Sequence, residues 1–252
     1  MCGDGAGREG VFARADTHPH QPRPIPSSSR PSLPTQSTGV EFPQVATFWA
    51  GSPARCLGAT VRAKKIAIVN VKVYAVALYV EAERAARELG LRSRGGFFAG
   101  NGDGDFCAAL VDGAFHKALR IDLVRDVEGA VFYEALEAAM GPRVRLVGEG
   151  AALDAFGAFF GGRKLAKGTA ILMLWRPSGA VEVATCADGA GRAPAAFAAP
   201  DAAELTVDAP GLGRALFETY LGEASVVPAG RKAWADGARA LLETEEVKRG
   251  TR

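Results

Sequence analysis

This chain carries little of the usual catalytic chemistry. It has three histidines. His18 and His20 fall in a proline-rich stretch, and His116 stands alone beside a strand-like run, the setting of a structural or solvated imidazole. The four cysteines, Cys2, Cys56, Cys107 and Cys186, are scattered without C-x-x-C spacing, the pattern of simple thiols in a reducing compartment rather than of a disulfide framework. No Cys–His or Ser–His–Asp set can be assembled. No apolar run reaches the ~18 residues of a membrane span; the longest candidate, Ile66 to Val80, is broken by Asn70 and Lys72. With a net charge of +2, no electrostatic case arises for nucleic acid or an anionic membrane. Metal and phosphate motifs fail as well. Asn101, Asp103 and Asp105 imitate the start of a calcium loop, but Phe106 stands where that loop needs glycine and Asp112 where it needs glutamate. Gly100-Asn101-Gly102 reads as a solvated turn, with neither a strand before it nor a helical pattern after it.

What is present is an ordinary globular composition, 48% hydrophobic and 23% charged, behind a different kind of segment. Residues 1–38 hold six prolines between Pro19 and Pro34, the run Ser27-Ser28-Ser29 and few large apolar residues. Such a segment buries too little to fold and is expected to be disordered. Arg8, Arg14, Arg23 and Arg30 among serines suit a plastid or mitochondrial presequence, while Asp4, Glu9 and Asp16 count against one. Plastid is the location expected, with the cytoplasm as the alternative. Residues 39–252 read as one domain without internal repeats.

That domain is organised around Val61 to Glu81, a long run free of Gly and Pro. From Tyr74 to Val80 both alternating faces are apolar, as in the centre of a sheet. If the run folds back around Ile68, Arg62 and Tyr74 lie opposite each other on one face. A turn at Lys64-Lys65 would break that pairing, because a one-residue slip flips every side chain. Periodicity leaves both open. Lys72 shares the face of Tyr74 by period two.

Further along, Glu81 to Arg94 reads as a helix that Gly90 ends or weakens. Ala118 to Val124 reads as a strand with Leu119, Ile121 and Leu123 on a buried face and Arg120 and Asp122 on a wetter one. Asp126 is placed to cap a helix from Val127 to Met140, with Val131 in its apolar stripe and Gly141-Pro142 as its stop. Leu153 to Phe160 marks a short helix ended by Gly161-Gly162. Thr169 to Trp175 and Val181 to Cys186 form a hairpin around Pro177-Ser178-Gly179, and Glu204 to Val207 a short strand. Two helices close the chain, Pro210 to Leu221 behind a capping Asp208, and Pro228 to about Glu245. Together these predict an α+β fold: an open-faced β-sandwich, mostly antiparallel, with a layer of helices on one face.

The pattern V-R-x-K-x-I…V-K-V-Y-A-V-x-L-Y-V resembles the signature of the chalcone isomerase superfamily, and more closely its plant and algal fatty-acid-binding branch. Gly39-Val40-Glu41-Phe42-Pro43, Lys117 to Arg125, Gly168 to Gly179 and Leu216 to Gly222 resemble further family segments in the same order. The resemblance implies that Arg62, Tyr74 and Thr219 are the ligand-binding residues, with no cofactor and no metal. In true chalcone isomerases the position of Tyr74 holds a catalytic threonine, and the helix matching Val127 to Met140 carries a Tyr and an Asn seven residues apart. Here that helix offers Tyr133, with Met140 seven residues on. The expected function is therefore non-catalytic binding of a fatty acid or similar small apolar carboxylate, held by Arg62 and Tyr74. The alternatives are a chalcone isomerase-type intramolecular lyase, and a non-catalytic protein partner of a polyketide synthase. A purely structural role, with Arg62 paired to an internal acid such as Asp122, is the plain rival to all three.

Overall fold

The computed structural model describes residues 32–34, 38–49, 51, 53–66, 69–100, 102–187 and 201–250. Most of residues 1–38, and with them the presequence expectation, lie outside the described residues.

Among the described residues the first elements are the short strands β1 (Ser32–Pro34), β2 (Glu41–Pro43) and β3 (Val45–Thr47), followed by the long pair β4 (Pro53–Ile66) and β5 (Val69–Glu81). Helices α1 (Ala82–Arg94) and α2 (Asp103–Asp112) lead to β6 (Lys117–Leu123). Then come β7 (Val127–Glu128), α3 (Gly129–Leu146), α4 (Gly150–Gly161), β8 (Lys164–Leu165), β9 (Ala170–Trp175), β10 (Ala180–Cys186), β11 (Leu205–Asp208), α5 (Pro210–Leu221) and α6 (Pro228–Gly250). Seven strands form one antiparallel sheet in the order β11-β10-β9-β6-β5-β4-β3. The sheet is curled and the helices pack on one of its faces, which is the α+β architecture predicted from the sequence. β1 pairs with β2, so this short strand lies inside the segment expected to lack structure; composition averaged over residues 1–38 hides the Leu33–Phe42 pairing.

β5 is buried on both faces from Tyr74 to Val80, as its apolar runs require. Its pairing with β4 settles the two turns left open. Lys64 and Lys65 are inside the ladder, opposite Val71 and Asn70, so the turn is not there. From Ile66↔Val69 to Ala63↔Lys72 the register is constant; Val73 is then skipped and Arg62 pairs with Tyr74. This β-bulge has a specific consequence. Cross-strand partners share a face, so Lys72 lies on the face of Ala63 and not on that of Arg62 and Tyr74. Period two across a bulge gives the wrong face. Lys72 is solvent-exposed, whereas Val73 packs with Tyr74 against the helix-side core.

β6 departs from its predicted wet face: all seven of its residues are buried. Arg120 and Asp122 form a bidentate pair at 2.9 and 2.8 Å, under Phe42, whose ring lies 5.2 Å from the Arg120 guanidinium. Alternation in the sequence cannot show that the N-terminal strands fold over this side of the sheet. The small residues Ala75, Ala77 and Ala118 leave room there for Arg120 and Phe42 in a second core cluster. Asp122 is not the partner of Arg62: its carboxylate is held by Arg120 on the opposite face of the sheet from Tyr74.

Three helix limits differ from expectation. α1 runs through Gly90, which is buried against its neighbours. α2 follows directly on Gly102, where no helix was predicted; Asp103 and Asp105 in its first turn suit the positive end of the helix dipole. α3 continues past Gly141-Pro142 to Leu146. Pro142 removes one backbone donor, but Met140 and Val144 on either side are fully buried, and their burial offsets that loss. Val131, placed in the stripe by spacing, is 55% exposed. Neither predicted cap operates as such. The Asp126 carboxylate accepts from the Lys167 backbone, and α5 is capped from a distance, with Glu149 accepting from the N–H groups of Gly211 and Leu212 at 3.0 and 2.7 Å.

Lys117 ties α2 to the sheet. Its buried ammonium donates to the carbonyls of Val111 and Gly113, both at 2.7 Å, and lies 4.4 Å from the Trp175 ring centroid. Burial pushes its pKa down to about 7, from 10.5 when exposed. Folding therefore releases a proton between those values, and stability rises with pH across that window, by up to about 1.4 kcal/mol per unit. Urea midpoints at pH 7 and pH 9 should show this climb in the wild type and a flatter profile in Lys117→Met. Equal profiles would mean that Lys117 stays charged throughout.

Candidate functional site

The site is built on the hairpin. The bulge at Val73 sets Arg62 opposite Tyr74, with the guanidinium 5.9 Å from the phenol ring centroid. Tyr74 is 3% exposed and Arg62 is half-buried at the rim. Tyr74 packs edge-on against Phe132 of α3 at 6.3 Å, and Phe132 against Phe160 of α4 at 5.1 Å. Val76, Leu78, Ile121 and Leu216 extend the same apolar face between the sheet and the helices. The Tyr74 hydroxyl lies 3.2 Å from that of Tyr220, a fully buried residue of α5.

Arg62 has no carboxylate partner among the described residues. Both phenols are held protonated at neutral pH. Burial raises the Tyr74 pKa above 10, the Arg62 charge working against it, and burial raises that of Tyr220 further, with Tyr74 adding to the effect. Cation and phenol thus form a set of donors facing an apolar interior, an arrangement complementary to an anionic acceptor joined to an apolar body.

Thr219 is placed differently. Neighbours on a helix point about 100° apart, so α5 cannot turn both Thr219 and Tyr220 toward Tyr74. The Thr219 hydroxyl donates to Ala215 O at 2.8 Å and accepts from Arg143 at 3.2 Å. Arg143 also reaches Glu218 at 2.8 Å, and Glu218 is shared with Arg214. Arg143, Glu218 and Arg214 line a cleft of about 540 Å³ that also includes Asp105 and Arg231, with Thr219 buried behind Arg143. Arg143 and Arg214 are paired with acids within it, while Arg231 donates to Leu221 O at 3.1 Å; none of these cations is set against a buried phenol as Arg62 is. The structure therefore joins Arg62 to Tyr74 and adds Tyr220, which sequence reasoning passed over in favour of the adjacent threonine. Its only signal was a tyrosine within a predicted helix.

A curled antiparallel sheet with helices on one face, and a cation–phenol pair between the layers, defines an α+β protein of the open-faced sandwich kind. A profile of the chalcone-flavanone isomerase family matches residues 38–241, and the chain belongs to that family. A chalcone–flavanone isomerase of Hordeum vulgare is 27% identical over 212 residues, spanning 81% of this chain and 88% of the relative. A crystal structure of an Arabidopsis thaliana fatty-acid binding protein superposes with a TM-score of 0.67 at 20% identity, over 84% of this chain and 99% of its own. At that identity the likeness is one of fold. Among the described residues no helix is long and apolar enough to cross a membrane.

Proposed function

We propose that this chain binds a fatty acid or similar apolar carboxylate without transforming it. The head group lies against Arg62 and the Tyr74–Tyr220 hydroxyls, and the tail lies along the apolar face between the sheet and α3 and α5. The observation that carries this reading is a half-buried guanidinium with no acidic partner among the described residues, set against a buried phenol. A half-exposed guanidinium at the rim of an apolar interior can offer its fork to an anion whose body is apolar. The solved fatty-acid binding protein of the same fold supports the reading by analogy. Native mass spectrometry of the purified protein should find co-purifying fatty acid; a ligand-free protein that takes up none on addition would contradict the proposal.

The barley relative favours a second reading, an intramolecular lyase acting on chalcones. Ring closure needs a polarised ketone and a phenolate held in place. By the family resemblance, Tyr74 stands where chalcone isomerases have a catalytic threonine, and Met140, fully buried in the core, follows Tyr133 at the seventh place. We therefore expect no cyclisation of a simple chalcone above the spontaneous rate in an absorbance assay. Turnover that Arg62→Ala abolishes would promote the lyase instead.

A further inference from the structure

Two hydroxyls that share one hydrogen bond leave one proton over. Tyr74 and Tyr220 are such a pair, 3.2 Å apart, and at that distance either oxygen can donate. Their surroundings are unequal. Tyr220 is fully buried, and among the described residues its hydroxyl meets no other hydrogen-bond partner than Tyr74. If Tyr74 donated to Tyr220, the spare proton would sit on Tyr220, sealed in the core, at the full cost of an unsatisfied buried donor. If Tyr220 donates to Tyr74, its proton is satisfied and the spare one is on Tyr74, the side where Arg62 stands at the rim.

We propose that Tyr220 is the positioning residue of the head-group site: its O–H donates to the Tyr74 oxygen and so aims the Tyr74 proton at the ligand. This rests on the reading of Arg62 and Tyr74 as a carboxylate site. It narrows the ligand class. With its oxygen accepting from Tyr220 and facing the Arg62 guanidinium, Tyr74 offers only a donor. The ligand atom beside it must be a bare acceptor, which a carboxylate oxygen is and an amide or ammonium nitrogen is not.

The direction can be read without any ligand. Tyr74→Phe strands the sealed Tyr220 donor, while Tyr220→Phe leaves only a hydroxyl next to Arg62. The urea midpoint of Tyr74→Phe should therefore fall below that of Tyr220→Phe, and the double variant should lie at or above Tyr74→Phe. A Tyr220→Phe midpoint at or below that of Tyr74→Phe overturns the direction. Calorimetry with laurate then tests the positioning role. Tyr220→Phe should weaken laurate by about 3- to 10-fold in the wild-type background, the effect of a misaligned hydrogen bond, and by less than about 2-fold when Tyr74 is already Phe. An equal loss in both backgrounds means that Tyr220 acts by its own contact and overturns the proposal. A wild type that binds no laurate at all sinks the binding reading instead, and the midpoints still report the direction of the bond.

Discussion

Asp122→Ala is expected to lower the folding stability by about 3–5 kcal/mol, because it leaves the Arg120 charge buried without its carboxylate. Arg120 and Asp122 are 1% and 0% exposed. Their two hydrogen bonds, at 2.9 and 2.8 Å, use both carboxylate oxygens. Burial nonetheless lifts the Asp122 carboxyl above its ordinary pKa, with Arg120 only partly opposing it. A pair in that condition specifies the packing of this face more than it strengthens the fold. Replacing both partners, as in Arg120→Met/Asp122→Leu, should thus recover most of the loss. Chemical denaturation of the single and double variants checks this. A double variant as unstable as Asp122→Ala would show that the pair itself, and not the loss of the carboxylate beside a buried guanidinium, holds the face together.

Arg62→Ala should weaken laurate binding by about 1.5–3 kcal/mol, roughly 10- to 150-fold, the value of hydrogen bonds to a charged group. Stability should change little, since Arg62 is half-exposed and engages no acid among the described residues. The apolar tail contributes about 0.8 kcal/mol per buried CH₂, roughly 9 kcal/mol gross for twelve carbons, so affinity falls without vanishing. Tyr74→Phe should cost less than Arg62→Ala. Dodecanol should bind the wild type more weakly than laurate and be less sensitive to Arg62→Ala, because it lacks the charge that the guanidinium recognises. Lys72→Ala should leave laurate binding unchanged, the bulge having turned Lys72 to the other face. An Arg62→Ala protein that folds normally and binds laurate as well as the wild type would assign the arginine to structure.

The strands that build the sheet are legible in the sequence where burial is two-sided. Tyr74 to Val80 is apolar at every position, and only a central strand satisfies that. Alternation misleads at β6, because a charged pair that neutralises itself in the core has the same pattern as a solvated face. α2 escapes notice because Gly102, Asp103, Gly104 and Asp105 are loop formers taken singly, and its hold comes from tertiary contacts such as Arg239 with Asp103 at 2.8 Å. Counting back from a turn centred on Ile68 gives the pairing of Arg62 with Tyr74, but the regular ladder from Ile66↔Val69 would put Arg62 opposite Val73, and the bulge restores the pair. The bulge itself is not legible, since it is a property of the assembled ladder. Tyr220 is illegible for a related reason: which of two adjacent helical residues meets a strand depends on how α5 is rotated about its axis.

The skipped residue at Val73 also separates two jobs within one hairpin. Beyond it, from Ala63 to Lys72, the ladder serves only to close the turn. Before it, from Arg62 and Tyr74 inward, the ladder carries the proposed head-group site and the core of the sheet. A lengthened or shortened tip can be absorbed by moving or erasing the bulge, with Arg62 still facing Tyr74. The sequence distance between Arg62 and its cross-strand partner is thus decoupled from their facing: one residue can enter or leave the tip while the two side chains stay in register.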